Sequence, residues 1–528
     1  MSQTEGSIFA YFLFVVVGLV LYSIFFKKYK WTVLLILSYI LIFCFSSYWF
    51  IFLVLVTVIV FLCGLWIGHY NKIFEIKKQN LDKEEKKKLK AKIKNKQKLI
   101  MVLGLVLSFS FLVLLKYCHL PIYKLNNLFY DLSFKNIPYS KYLKILFPLL
   151  GISYYTLTAT GYLIDVYRKK YDPERNIFKF ALFVGFFPIQ LEGPISRYDK
   201  LAPQLYKDTN PSYEDMADGG TLILWGMFKK IVIADRLAIA VGEIFNNYTE
   251  YGGIIIFVGG IFYAFQLYCD FSGLIDIARG VSRLFGIKLE ENFDRPFMSK
   301  TVSEFWRRWH MSLGAWLRDY VFYSVAFSKP YMAINKKVHG KVKPVIEKFI
   351  ASFLPMLCVW LLCGIWHGAG IKYIVYGLYY FVIMMIGILL EPVHIKVCEK
   401  LHLNREGIFV KFLAIIRTFT IIVFGLMMFR ASSLTTYFDM LSHLFKSGEY
   451  DLVNYGLINS KDLAIMVISI LFIVVVEVVS EFVPLKNKFD RSNIVLRYSL
   501  LIALLFVIIM FGAYGSGYGA IDPLYAAF

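Results

Sequence analysis

Two histidines are the residues best able to do chemistry, and they lie in different surroundings. His310 follows Arg307 and Arg308 in a basic segment, whereas His367 stands in CGIWHGAG, after an uncharged apolar stretch. A neutral imidazole accepts and returns a proton near pH 7, so both suit general acid–base catalysis. An ionisable group within an apolar segment is by default a functional candidate. The alternative to a catalytic role is structural in each case. His310 would be an interfacial histidine that only forms hydrogen bonds, and His367 would be a buried histidine that only packs.

The composition predicts a multi-pass membrane protein. The 528 residues are 58% apolar with a mean hydropathy of +0.59, too hydrophobic for water-facing domains. The net charge of +21 indicates basic cytoplasmic loops and makes nucleic acid a poor candidate partner. Most of the seven cysteines lie in apolar runs without a CxxC pair, which argues against disulfides or a zinc site. The apolar composition thus makes membrane lipids the first expected partner, and the cysteine pattern predicts no metal.

The apolar runs approach span length, and they predict an all-α bundle of about 11–13 spans with re-entrant and interfacial helices around a central cavity. The N-terminal residues lack the basic region of a cleaved signal, so the first helix is expected to remain as an anchor. Basic clusters place both termini outside. The expected spans are 8–26, 31–46, 48–67, 99–117, 146–165, 221–245, 253–277, 349–367, 372–390, 412–429, 463–482 and 498–513.

Three parts are expected along the chain: N-terminal spans over 1–140, a core over 141–390, and C-terminal spans over 391–528. Within the first part, the stretch 70–98 carries twelve lysines against four acids and predicts a cytoplasmic or headgroup-facing loop, partly helical. Within the core, Ile177 to Leu191 is too short to span and is broken by Pro188, so it is predicted to dip into the membrane, return and line a cavity.

Charges inside two expected spans must find partners in the bundle or reach an interface, because a lone charge in hydrocarbon is costly. The span 221–245 contains both signs of charge, and 253–277 contains two acids. We expect these groups to face the bundle interior, to pair up or to reach an interface. The residues are Lys229, Lys230, Asp235, Arg236, Asp270 and Asp276.

The aromatic residues around His310 predict an amphipathic helix at the cytoplasmic interface, with His310 on its flank. Arg318 and the neighbouring arginines either bind a ligand or snorkel to lipid headgroups, and Asp319 either pairs with an arginine or acts as a carboxylate. His367 lies about 27 Å along a helix from Phe349, which would place it near the outer face. The periodic residues are Phe305, Trp309, Leu313, Trp316 and Tyr320.

Three separated motifs resemble the membrane-bound O-acyltransferases, in the bacterial branch that modifies polysaccharides. They lie between roughly 140 and 385 and read FFPIQLEGPISRYDKLAPQL, YCDFSGLIDIARGVSRLFGIKLEENFDRPFMSKTVSEFWRRWHMSLGAWLRDYVF and CGIWHGAG. The resemblance implies that His367 is the catalytic base and that His310 is a second catalytic position on the cytoplasmic side. Arg307, Arg308, Arg318 and Trp306 are then the expected donor-binding residues.

The resemblance also implies the reaction. No cofactor is expected to be bound; the donor substrate is a cytosolic acyl thioester, acetyl-CoA or an acyl carrier, and the group crosses the bacterial cell membrane. The expected product is an O-acetylated exported or cell-surface polysaccharide, made with an extracellular partner acyltransferase. The 161 residues after His367 favour acetyl transfer. D-alanyl transfer to teichoic acid is the alternative, and a polysaccharide or lipid transporter, for which no inverted repeat is visible, is the alternative of another class.

Overall fold

The computed structural model describes residues 3–46, 50–117, 151–190, 192–207, 210–368, 370–449 and 459–514, and these are almost entirely helical. The described residues form two compact units, one within the ranges 9–219 and 281–290 and the other within 1–8, 220–280 and 291–528. In the described part, eight helices are long and apolar enough to cross a membrane, and two more apolar helices are shorter. The prediction of an all-α multi-pass membrane protein is confirmed.

Among the described α-helices, seven lie wholly or mainly in the first unit. They are α1 (Gln3–Ile24), α2 (Lys30–Ser46), α3 (Phe50–Lys77), α4 (Lys83–Tyr117), α5 (Ile152–Tyr167), α6 (Ile177–Gly185) and α7 (Tyr198–Leu205).

The second unit contains both histidines of interest and most of the remaining helices. They are α8 (Tyr213–Met227), α9 (Asp235–Asn246), α10 (Gly253–Leu284), α11 (Val302–Arg308), α12 (Met311–Leu317), α13 (Tyr323–Ala326), α14 (Lys329–Val338), α15 (Pro344–His367), α16 (Ile371–Lys400), α17 (Ile408–Arg430), α18 (Leu434–His443), α19 (Ser460–Phe482), α20 (Leu485–Asp490) and α21 (Ile494–Phe511).

The lysine-rich stretch is more helical than the predicted, partly helical loop: α3 extends to Lys77, and α4 begins at Lys83 and continues without a break into the apolar span. Lysine and glutamate are good helix formers, and a capping box starts the helix. Asp82 Oδ1 accepts the amide hydrogen of Glu85 at 2.7 Å, and Glu85 Oε2 accepts that of Asp82 at 3.3 Å. Gln97 fastens α4 to α3 through the Ile67 carbonyl at 3.0 Å. The 35 residues of α4 extend about 52 Å, well beyond a hydrocarbon core of about 30 Å.

The segment predicted to dip into the membrane is short and irregular, as expected. Helix α6 has nine residues, begins at the Asn176 cap and gives way to a 3₁₀ turn at Phe187–Ile189. The Asn176 side chain accepts the amide hydrogen of Phe178 at 2.9 Å. Gln190 then donates to the Val184 carbonyl at 2.9 Å, which ties the turn back to the helix. That this segment lines a cavity stays a prediction.

Of the three expected outcomes for the charges inside these two spans, the structure shows pairing, and most of the charged side chains are buried. The sequence between α8 and α9 forms a π-helical segment, Phe228–Ala234, which carries two lysines. Lys229 contacts Asp276 at 2.7 Å, and Lys230 contacts both Asp235 at 2.8 Å and Asp270 at 2.6 Å. Burial of an ionic group is tolerated when its partner is buried with it.

Helices α15 and α16 form a tightly packed hairpin. A Cβ atom on Gly364 would lie 2.3 Å from the Tyr373 carbonyl oxygen, and one on Gly377 would lie 2.3 Å from that of Trp360. Small residues let membrane helices approach this closely. Helix α15 continues through Pro355 and ends at His367, so the hairpin fixes the position of that histidine.

Candidate active site

The chain around His310 is broken, so the prediction of one amphipathic helix was wrong. Helix α11 ends at Arg308, α12 begins at Met311, and a π-helical segment follows at Arg318–Phe322. The aromatic face of these short helices is packed inside the protein, as Trp309 at 2% exposure shows. His310 is 3% exposed and therefore does not lie on a solvent-facing flank.

His310 has a left-handed backbone, with φ 47° and ψ 53°. This conformation is uncommon for residues other than glycine, and it turns the chain sharply between α11 and α12. Two backbone hydrogen bonds hold the turn against the preceding segment. The Met311 amide donates to the Asn292 carbonyl at 2.9 Å, and the Asp294 amide donates to the Arg308 carbonyl at 2.9 Å.

The backbone strain and the imidazole can be separated by two substitutions. We expect His310→Gly to be more stable than His310→Ala by about 1–2 kcal/mol, because only alanine carries a Cβ in the left-handed region. Both remove the ring, so the difference reports the backbone alone. Thermal unfolding of the two purified variants in the same detergent measures it. Equal stability, or a more stable alanine variant, contradicts the assigned backbone conformation.

The ring of His310 is enclosed by apolar and amide groups. Phe271 meets it edge to face at 4.8 Å between ring centroids, and the Asn292 side chain contacts its Nδ1 atom. Burial lowers the pKa of His310 to about 3, because the charged imidazolium loses its hydration there. His310 is therefore neutral at physiological pH.

His367 is also buried, at 2% exposure, and lies among aromatic rings. Its ring is 5.2 Å from that of Phe429 and 6.0 Å from that of Tyr376, both nearly perpendicular to it. Trp366 contacts both histidines, with ring centroids 4.8 Å from His367 and 5.8 Å from His310. The structure thus brings the two predicted catalytic histidines, 57 positions apart in the sequence, to one indole ring.

A cavity of about 350 Å³ lies within the second unit, next to the His310 turn. Its wall includes Asn292, which also contacts His310, together with Phe293. Charged side chains of both signs line it, among them Lys229 and Glu477, so a polar ligand fits it better than a hydrocarbon chain. His367 is not among its lining residues.

The three arginines predicted to bind the donor have different surroundings. Arg308 already engages two carboxylates, with Glu304 at 2.8 Å and Glu481 at 3.1 Å. Arg307 and Arg318 are exposed, and Arg318 contacts Asp319 at 3.1 Å. Arg307 and Arg318 are thus the better placed to meet a soluble ligand, whereas Arg308 links α11 to α19.

Trp306, the fourth predicted donor-binding residue, packs against the α15–α16 hairpin. Its ring centroid is 5.1 Å from that of Trp360 and 4.8 Å from that of Tyr380. These contacts hold the His310 region against the helix that carries His367. A direct role in donor binding stays a prediction.

Asn292 is absent from the predicted site residues, and the sequence marks Trp366 as a candidate only because it is the neighbour of His367. Asn292 opens the motif NFDRPF and is 1% exposed, yet an asparagine has no charge or spacing that marks it in a sequence. Trp366 precedes His367, but its contact with His310 comes from another segment of the chain. Only the folded structure reveals either contact.

Residues 37–333 match the sequence pattern of the MBOAT family, the membrane-bound O-acyltransferases. The match covers more than half of the chain, so the chain belongs to this family, as its motifs predict. The matched range contains His310 and ends before His367.

Similar proteins include three named for acyl transfer. The "Probable alginate O-acetylase AlgI" of Pseudomonas syringae pv. tomato is 32% identical over 308 residues, which are 58% of this chain and 54% of that protein. The "Peptidoglycan O-acetyltransferase" of Helicobacter pylori is 30% identical, covering 55% and 56%. The "Teichoic acid D-alanyltransferase" of Bacillus subtilis is 32% identical, covering 54% and 69%. The chain thus spans about half the length of the AlgI relatives it matches.

Proposed function

We propose that this protein is a membrane O-acyltransferase that moves an acetyl group from a cytosolic thioester across the bacterial cell membrane, for O-acetylation of an exported or cell-surface polysaccharide. The observation that carries the proposal is the meeting of His310 and His367 at Trp366, together with the contact of His310 with Asn292 in the wall of a polar cavity. Relatives named as O-acetylases support the acetyl group.

His367 acts as the general base. As the acceptor hydroxyl attacks the acyl carbonyl, its proton passes to the imidazole, a C–O bond forms and the C–S bond of the thioester breaks. The departing thiolate takes up a proton. The aromatic surroundings of His367 keep water, the competing nucleophile, at low concentration.

The donor approaches from the side that carries the exposed arginines. Coenzyme A and acyl carriers both bear phosphate, and a guanidinium binds phosphate by charge-assisted hydrogen bonds. Arg307 and Arg318 are exposed and suit this role. By the positive-inside rule, the basic residues around His310 support a cytoplasmic location for this side, with both termini outside. An extracellular acyltransferase is then the partner that passes the group to the polymer.

Mass analysis of the cell-surface polymer tests the proposal. We expect cells that express the protein, with its partner genes, to carry acetyl esters on the polymer, and cells that lack it to carry none. In membrane vesicles, label from [¹⁴C]acetyl thioester should appear in ester linkage. An unchanged polymer, together with no transferred label, contradicts the proposed function.

D-alanyl transfer to teichoic acid from a carrier protein is the second candidate. The Bacillus subtilis relative named for that activity is as similar as the alginate-type proteins, and the alignment covers 69% of it. The same mass analysis distinguishes the two, because a D-alanyl ester carries an ionisable amine and a different mass.

A further inference from the structure

Asn292 holds His310 in a way that fixes where the proton of the imidazole lies. The carboxamide oxygen of Asn292 accepts the Ser312 backbone N–H at 2.9 Å. A backbone N–H can only donate, so the Oδ1 and Nδ2 positions of this amide are settled. The opposite orientation would point the amide N–H₂ at the Ser312 N–H.

With this orientation, the Nδ2 atom of Asn292 lies 3.1 Å from Nδ1 of His310, closer than Oδ1, which is 3.3 Å away. The Nδ2 atom can only donate, and its contact with Nδ1 is the shorter of the two, so we infer that Nδ1 of the imidazole is the acceptor. A neutral imidazole carries one proton, and that proton must then be on Nε2.

The setting of this contact is rigid. Asn292 is 1% exposed, and its own carbonyl accepts the Met311 N–H at 2.9 Å, so both its backbone and its side chain bind the residues after His310. Phe271 packs against the His310 ring from another helix. The low pKa of His310 agrees with a ring that stays neutral in this setting.

We propose that Asn292 is a positioning residue that locks His310 as the neutral Nε2–H tautomer, so that His310 serves acyl transfer as a hydrogen-bond donor to the acyl carbonyl oxygen and not as a base. This rests on the proposed function. It divides the work between the histidines: His367 takes the hydroxyl proton, while the Nε2–H of His310 stabilises the negative charge that develops on the carbonyl oxygen. A positioned donor of this kind accelerates acyl transfer in other enzymes.

The substitution Asn292→Asp tests the lock with almost no change of shape. A carboxylate still accepts the Ser312 N–H, but it also accepts a proton from Nδ1, which inverts the tautomer and favours the imidazolium. Ring-¹⁵N-labelled histidine in the purified full-length protein reports both states directly, with the His310 signals assigned through His310→Gln. We expect protonated Nε2 and unprotonated Nδ1 in the wild type, and a protonated Nδ1 in the variant. An unprotonated Nε2 in the wild type overturns the proposal.

Kinetics provide the second readout. We expect Asn292→Asp to lower kcat for transfer from an acyl thioester by about 10²–10³-fold with little change in the KM of the donor, because the lost interaction belongs to the transition state. The matched control is Asn95→Asp, the same change at an exposed position, which should keep the wild-type rate. A wild-type rate in Asn292→Asp with an inverted tautomer shows that the donor is not used, and overturns the proposal.

A third variant distinguishes donor from base at His310 itself. The side-chain amide of glutamine has an N–H group that can replace the Nε2–H donor, but it cannot accept a proton at neutral pH. We expect His310→Gln to retain much more activity than His310→Ala, and equal loss in the two overturns the donor role. If the wild type transfers no acyl group from any thioester, the proposed function fails, while the ¹⁵N spectrum still decides the tautomer.

Discussion

Replacing His367 with glutamine should abolish acyl transfer while leaving the protein folded in the membrane. Glutamine has nearly the volume of histidine, so the aromatic packing against Phe429 and Tyr376 is largely kept. It cannot take a proton from a hydroxyl group, and loss of a general base lowers rates by about 10²–10⁴-fold. We expect the loss to appear in kcat, and polymer acetylation in cells to fall below detection.

Polymer ester content and membrane abundance, measured on the same cells, check this expectation. The matched control is His394→Gln, in an exposed part of α16, which should retain full activity. His367→Ala should behave like the glutamine variant in activity but unfold at a lower temperature, because it leaves a cavity. Wild-type ester content in either His367 variant would remove this residue from the mechanism.

The substitution Lys230→Met should destabilise the protein by about 3–5 kcal/mol, because it removes the cation from a buried ionic cluster. Lys230 Nζ lies within 2.8 Å of both Asp235 and Asp270, whose side chains are 15% and 2% exposed. Without the lysine, two carboxylates face each other with little water. Lys229→Met should cost less, since its partner Asp276 keeps Arg279 at 3.0 Å.

Thermal unfolding in detergent, or resistance to proteolysis, measures whether Lys230→Met loses more stability than Lys229→Met. The triple variant with Asp235→Asn and Asp270→Asn should recover most of the lost stability, because no uncompensated charge remains. Lys94→Met, on the exposed side of α4, is the control and should change stability by no more than about 0.5 kcal/mol. A melting temperature of Lys230→Met equal to that of the control would mean that the cluster is not ionic.

Most of the spans, and the cost of leaving the charges within them alone in hydrocarbon, follow from the sequence, since hydrocarbon allows few alternatives. Among the described residues, apolar length locates eight of the twelve expected spans, and the cost of a lone charge at membrane depth requires the acids of α10 and the lysines after α8 to face the bundle interior, pair up or reach an interface. Which acid meets which lysine does not follow, because the choice depends on a π-helical segment that shifts the register between Met227 and Asp235.

The surroundings of His310 could not be predicted for a similar reason. Its aromatic neighbours recur at helical spacing, which is the pattern of an uninterrupted amphipathic helix. The left-handed turn depends on contacts from Asn292 and Phe271, which belong to other segments, so tertiary structure overrides the local pattern. By contrast, the residue type and the neighbouring sequence were enough to identify both histidines as the main catalytic candidates.

Because α4 continues without a break from its apolar span into the lysine-rich stretch, its lysines can report the orientation of the protein in the membrane. A row of exposed lysines on a rigid helix is open to trypsin, or to amine reagents that do not cross lipid, from one face of the bilayer alone. Cleavage in inverted vesicles but not in intact cells would put that face in the cytosol, and the opposite pattern would reverse the topology of every later helix. One digestion experiment thus determines the direction in which the proposed acyl transfer crosses the membrane.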